Sequence, residues 1–196
     1  MKIRHLSVLV VAVVCLWGCA AGLHENIPLA WKPTNDVYDV KTATLTGLYK
    51  QKIRIMPFVD ARENKSEIGR NVEREIPRPV TTRDDVAAWS TDRFSSLMRQ
   101  FGLTVVDRGE TVVLKGEILQ FQVIEDSLYR GNVGIKMTVE SPAGEVLWQG
   151  MMTGTNKRFG RSYKPENYYE TLSDAYLEAV QGLLKNGEFI RAMEKE

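Results

Sequence analysis

Beyond residue 24 the sequence contains neither a cysteine nor a histidine. Cys15, Cys19, His5 and His24 all lie in the first 24 residues. A domain built from the remainder has no thiol to form a disulfide, ligate a metal or attack a substrate. It also has no imidazole for a Ser-His-Asp or Cys-His arrangement, or for a His-ligated zinc. No metal or cofactor site is expected. A dominant charge is missing too: the 26 basic and 25 acidic side chains nearly cancel. That balance gives no drive toward nucleic acid. Glycine-based signatures are absent: there is no Gly-x-Ser-x-Gly, no phosphate-binding loop ending in Gly-Lys, and no Gly-x-Gly-x-x-Gly.

A long apolar run occurs at the N-terminus. Met1-Lys2-Ile3-Arg4-His5 is a short basic start, and Leu6 to Leu16 follow, apolar except for Ser7. This is the secretory signal pattern, shorter than the roughly 20 apolar residues of a membrane span. Leu16-Trp17-Gly18-Cys19 closes it as a lipobox, with Leu16 at −3, Gly18 at −1 and Cys19 at +1. Residues 1–18 are then a signal peptide, and Cys19 is the acylated first residue of the mature chain. Two or three acyl chains hold a protein far more firmly than one. Ala20 at +2 resembles lipoproteins passed on to the outer membrane, which implies an anchor there with the domain facing the periplasm. An ordinary signal peptide or an uncleaved helix with an incidental cysteine is the alternative.

Residues 19–50 form the lipidated tether, and residues 51–196 a single domain, long enough to bury a core. Ile27, Leu29, Trp31, Tyr38 and Val40 are too apolar for a purely disordered linker and imply a strap packed on the domain. Thr42–Leu48 has the composition of an extra edge strand. Lys52–Val59 is a strand by β-branched content, with Pro57 marking an edge or a bulge. Asp60–Thr81 mixes both charges without apolar period and is expected to be a long loop. Loops of that length are uncommon and often functional. Arg62 within it is a candidate contact for an anion or partner, against the plainer reading of a solvated connection.

Thr82-Arg83-Asp84-Asp85 has the form that starts a helix, and an apolar stripe from Val86 to Phe101 follows, with Gly102 placed to end it. Leu103–Asp107 is a short strand. In Thr111–Glu125, Val112, Leu114 and Ile118 share one parity while Leu119, Phe121 and Val123 share the other. A one-residue slip flips faces, so the spacing predicts a bulge near Gly116–Leu119. Val133–Val139 alternates cleanly, Ser141–Gly144 turns the chain, and Glu145–Thr155 returns. Pro165 opens the strongest helical pattern, which runs to about Lys185 with Asn186-Gly187 closing it, and a short terminal helix follows from Phe189. The order β-α-β-β-β-β-α makes this an α+β protein: a two-layer sandwich of a mixed, mostly antiparallel sheet with two long helices on one face.

Between the last strand and that helix lies Asn156–Lys164, where Lys157, Arg158, Arg161 and Lys164 surround Phe159 and Tyr163. A helix N-terminus beside such a segment can bind anions, including lipid phosphates. A solvated loop whose aromatics cover the sheet edge is the plainer reading.

Several short segments carry a family resemblance. Phe58-Val59-Asp60-x-Arg62, Ile68-Gly69, Leu114-x-Gly116-Glu117-Ile118 and Leu172-Ser173-Asp174-Ala175, together with the lipobox, resemble small uncharacterised Gram-negative lipoproteins of the YajG type. The element order is also similar to the outer-membrane lipoprotein of lipopolysaccharide assembly, although Ala20-Ala21-Gly22-Leu23 stands where that family has a Gly-rich aromatic motif. These readings imply a non-enzymatic binding or assembly module of the bacterial envelope, attached to the membrane by lipid and open to an envelope protein partner. An accessory of lipopolysaccharide or lipid transport is the alternative. A carboxylate-dependent hydrolase drawing on Asp84, Asp85, Glu117, Glu125 or Asp126 is a third class, and it needs two carboxyls about 5–9.5 Å apart.

Overall fold

The computed structural model describes residues 25–36, 42–161 and 164–194. Residues 1–18, expected to be a signal peptide, and Cys19, His24, Tyr38 and Val40 lie outside the described residues. Among those described, no helix is long and apolar enough to cross a membrane.

One strand organises the sheet. β6 (Val112–Glu125) buries Val112, Leu114, Gly116 and Ile118 on one face, then Phe121, Val123 and Glu125. The phase changes because its register slips between Ile118 and Gln120. The extra residue is Leu119, which points out and is exposed. Along one edge of β6 runs β7 (Tyr129–Glu140), antiparallel over the whole length, and β8 (Val146–Arg158) pairs antiparallel with β7. The turn between β7 and β8 is the expected Ser141–Gly144, with Gly144 at φ 87°.

The other edge of β6 is covered piecewise by three short parallel strands. They are β1 (Lys52–Ile55), β2 (Val59–Asp60) and β3 (Glu67–Asn71). The expected strand Lys52–Val59 is thus broken at Met56-Pro57-Phe58, where proline removes a ladder donor. Asp60–Thr81 is not one loop, because β3 and β4 (Arg78–Thr81) form a hairpin within it. Their charged composition hid them: β3 buries only Ile68, Gly69 and Asn71, and pairing with β6 holds it in place. β4 is an edge strand, where Pro79 costs no internal hydrogen bond. On the far side of β1 lies β5 (Thr104–Val105), parallel to it.

Thr42–Lys50 is a 3-10 helix rather than an edge strand. Its buried residues, Leu45 and Leu48, are three apart, which matches three residues per turn and not an alternating strand. α1 (Val86–Gln100) starts three residues later than the Thr82 signal: Asp85 is its N-cap and accepts from the amides of Ala87 and Ala88. Thr82 instead accepts from the Asp84 amide. Gly102, at φ 83°, ends the helix as expected. α2 (Pro165–Leu184) follows the predicted pattern. Asn186 caps a separate helix, α3 (Gly187–Met193), accepting from the amides of Glu188 and Phe189.

Both long helices lie on one face of the sheet, α1 over β2 and β5 and α2 over β7 and β8. Small residues let α2 settle close: a Cβ on Gly154 would stand 2.0 Å from the Ala175 carbonyl oxygen, and one on Gly131 2.7 Å from Thr171. The helices meet where the Tyr176 hydroxyl donates to the Ser90 carbonyl at 2.6 Å and its ring packs edge-on against Trp89. The strap closes that seam. Residues 25–36 run extended across it, burying Ile27 and Leu29 and placing Trp31 against both Trp89 and Tyr176. The Asp174 carboxylate accepts from the Thr34 amide, the Thr34 hydroxyl and the Asn35 amide at 2.5–2.9 Å. Ser173 accepts from the Lys32 amide. Polar residues on the outer side of α2 are buried for this reason.

Candidate functional site

A single row crosses four strands at one end of the sheet. Asn71 of β3 lies opposite Glu125 of β6, Glu125 opposite Tyr129 of β7, and Tyr129 opposite Arg158 of β8. β3, β6 and β8 run in the same direction, so the turn after β3 (residues 72–77) and the chain after β8 (residues 159–161) leave the body past the same row. The basic segment singled out in the sequence therefore emerges beside the β3–β4 turn.

Its base is a buried polar cluster. Glu125, 1 % exposed, faces the core side. The Tyr129 hydroxyl lies 2.6 Å from one carboxylate oxygen, and the Tyr168 hydroxyl donates to the other. The two rings pack edge-on. Burial first, and then the hydrogen bond to Glu125, push both phenols well above the usual tyrosine range. Tyr129 also reaches the Arg161 carbonyl at 2.9 Å, and Asn167 of α2 donates to that carbonyl at 2.9 Å. The cluster thus fixes the backbone at Arg161 just before α2 begins.

The predicted basic residues divide here. Arg158 is half-buried and ion-paired with Glu170 at 2.6 Å, while the other oxygen of Glu170 meets Lys32 of the strap at 2.5 Å. Arg158 therefore ties β8 to α2 and the strap. Lys157, Arg161 and Lys164 are exposed, and Lys164 is the N-cap of α2 without a side-chain capping bond. Phe159 between them is 81 % exposed. On the neighbouring turn Ile76 is 78 % exposed, flanked by Arg74 and Arg78. The sequence reading missed Ile76. Its signal was a large aliphatic residue, before Pro77, in an otherwise charged stretch.

Arg62 is not brought to this row. β2 ends opposite Ile118 and β3 resumes opposite Val123, which leaves residues 119–122 of β6 without a strand on that edge. Arg62 fills the gap. Its Nε and one Nη2 proton go to the two oxygens of Asp60 at 2.9 and 2.7 Å, and the other Nη2 proton goes to the Lys65 carbonyl at 2.7 Å. Nη1 donates to the carbonyls of Glu67 and Phe121 at 2.7 and 3.2 Å. All five guanidinium donors are used within the chain, and the plane lies over the Phe121 ring. The expected anion or partner contact at Arg62 is corrected to a structural clamp with no N–H left for a ligand. Burial raises the Asp60 pKa, but the hydrogen bonds and charge of Arg62 outweigh it and hold the carboxyl below its ordinary value.

Beside this clamp a shallow depression of about 510 Å³ opens on the uncovered face of the sheet. It is lined by Arg62, Glu63, Asn64, Glu67, Arg70 and residues 119–122. Residues 156–161 and Lys164 contribute nothing to it. Each carboxylate weighed for hydrolysis has a partner within the chain, Glu125 in the cluster above. Asp84 accepts from the Leu29 amide, Asp85 caps α1, Glu117 faces Lys136 at 3.9 Å, and Asp126 pairs with Arg130. Among the described residues no group of three or more His, Cys, Asp or Glu side chains is placed to hold a metal.

The fold is similar to that of a Xanthomonas protein. Protein XCC0632 from Xanthomonas campestris, of the DUF330 family, aligns with a TM-score of 0.54 at 12 % identity, covering 68 % of this chain and 81 % of that one. Lipoprotein GNA1162 from Neisseria meningitidis aligns at 0.38 with 11 % identity over 57 % and 88 % of the two chains. The PelC dodecamer from Paraburkholderia phytofirmans gives 0.39 and 13 % over 64 % and 85 %. No family model matches the chain, and no curated protein matches it by sequence. At these identities the likeness concerns the fold alone. The α+β sandwich expected from the element order is the observed architecture.

Proposed function

We propose that this chain is a lipid-anchored protein of the bacterial envelope, a non-enzymatic binding or assembly module held at the periplasmic face of the outer membrane by acylated Cys19. The observation that carries the reading is the strap. Asn26 and Ile27 already bond Thr81, at 3.2 and 2.8 Å, so the folded body begins within a few residues of the lipobox cysteine. Six residues from Cys19 to Glu25 span at most about 20 Å. A signal peptide ending in such a cysteine, followed by so short a leash, fits a domain kept against a bilayer rather than one reaching across a compartment. The YajG-type resemblance is the family form of the same reading.

The test is Cys19→Ser. The wild type is expected to carry acyl chains by mass and to fractionate with the envelope, and the variant to lose both. A variant that still matures and fractionates as before would remove the anchor. Affinity capture from detergent-solubilised envelope then addresses the partner. An accessory of lipopolysaccharide or lipid transport is the narrower alternative, supported by Phe159 standing out among Lys157, Arg161 and Lys164. It requires lipid binding that weakens with salt and falls in the Arg161→Ala, Lys164→Ala variant.

A further inference from the structure

We propose that the sheet end beyond the row Asn71-Glu125-Tyr129-Arg158 is the surface on which the domain rests against the phospholipid bilayer. The proposal takes the Cys19 anchor as given and adds which end of the molecule faces the lipid. Reach decides between the two ends. The strap enters at Thr81, which pairs with Glu67 at the start of β3. From Glu67 to Asn71 is four residues, about 14 Å at strand rise. Glu67 lies two residues before Gly69, which is opposite Val123. The opposite end of β6, at Val112, is therefore about nine residues away, or roughly 30 Å. A leash that spans at most about 20 Å can reach past the first end and cannot reach the second.

The side chains select the same end. Ile76 and Phe159 are the most exposed of the large apolar side chains among the described residues, at 78 and 81 %. They leave from β3 and β8, three strand spacings apart, or roughly 14 Å. Two such side chains at one end of the sheet are unfavourable in water and suited to the boundary between headgroups and acyl chains. Around them stand Arg74, Arg78, Arg130, Lys157, Arg161 and Lys164, against Glu73, Glu75, Asp126 and Glu166. That balance is basic and complements anionic headgroups. At the other end, Val146 is 52 % exposed beside the Ser141–Gly144 turn and serves as an internal reference.

The test uses the acylated full chain. Once Cys15 leaves with the signal and Cys19 is blocked by lipid, Ile76→Cys, Phe159→Cys or Val146→Cys each supplies one thiol for an environment-sensitive fluorophore. The labelled proteins are reconstituted on phosphatidylethanolamine–phosphatidylglycerol vesicles. Labels at 76 and 159 are expected to brighten several-fold with a blue shift and to be quenched by brominated acyl chains, while the label at 146 stays as in water. Labels at 76 and 159 as wet as that at 146, on protein that floats with the vesicles, would overturn the proposal. So would brightening of 76 and 159 with protein concentration in detergent without vesicles, which would assign the surface to a second copy. Protein that carries no acyl mass and does not float would instead refute the anchor itself.

Discussion

Arg62 and Arg161 occupy similar places in the sequence and different ones in the fold. Each sits in a charged stretch two or three residues after a strand that ends in a polar residue. Arg62 is drawn in: its side chain is 8 % exposed and satisfies Asp60 and three carbonyls. Arg161 is held by its backbone, through Tyr129 and Asn167, and its residue is exposed. The difference lies in what the neighbouring backbone lacks. Opposite residues 119–122 the edge of β6 has no strand, and a guanidinium supplies the missing donors. Around Arg161 phenol and amide groups already serve the main chain, so the cation faces solvent. Arg62 is structural because the sheet leaves a gap beside it, and Arg161 is available for contacts because the groups around it are already satisfied.

The largest expected effect is at the clamp. Arg62→Ala leaves Asp60 and several carbonyls buried without their partner, and should cost about 3–5 kcal/mol in urea unfolding. Arg62→Lys should recover only part, because an ammonium cannot make the forked contacts. The pair also sets an acid signature. Asp60 has a folded pKa below its unfolded value of 3.8. Its contribution is fully present above that value and is lost as pH falls through the lower folded pKa. That part of the acid slope should vanish in a destabilised but folded Arg62→Lys protein if the ammonium fails to hold Asp60. An Arg62→Ala protein as stable as wild type would break the contrast with Arg161.

Next comes the base of the second region. Tyr168→Phe removes a donor from buried Glu125 and should cost about 1–3 kcal/mol. The alkaline limb sharpens this. Unfolded phenols ionise near 10.0, while folded Tyr129 and Tyr168 keep their protons to higher pH. The unfolded state then binds fewer protons, so stability should fall as pH rises above about 10. The Tyr129→Phe, Tyr168→Phe double variant should show a shallower fall over the same range.

An effect of similar size is expected at the strap. Asp174→Ala removes three hydrogen bonds and should cost about 1–3 kcal/mol, with faster proteolysis confined to residues 25–36. The smallest is at the exposed cations: Arg161→Ala with Lys164→Ala should leave stability within about 0.5 kcal/mol while lowering affinity for anionic vesicles several-fold at low salt. A loss of stability there as large as at Arg62 would erase the distinction between the two regions.

Much of this fold was readable before any coordinates. The parity change in Thr111–Glu125 located the Leu119 bulge because burial on one face forces a strict period of two. The apolar recurrence after Pro165 located α2, and apolar content in the tether located the strap. What escaped was held by partners distant in sequence. β3 and β4 have little apolar pattern of their own and exist by pairing on β6. The 3-10 helix over Thr42–Lys50 shows only in the spacing of Leu45 and Leu48. Asn186 read as a helix end because α3 begins at the next residue, with almost no loop after α2. At the candidate site, the basic segment was visible as charge around aromatics, but the division of Arg158 from Arg161 depends on Glu170 across the layer. Arg62 was misread because nothing near it in sequence reveals a gap at residues 119–122.

Hydrogen exchange of the acylated chain on vesicles, compared with the Cys19→Ser protein in solution, tests most directly whether one region is internal and the other faces the membrane. Added protection is expected at residues 72–77 and 159–161, with no change at the Arg62 clamp or at the Ser141–Gly144 turn. Protection at 61–66 or 141–144, with none at 72–77 and 159–161, would contradict it.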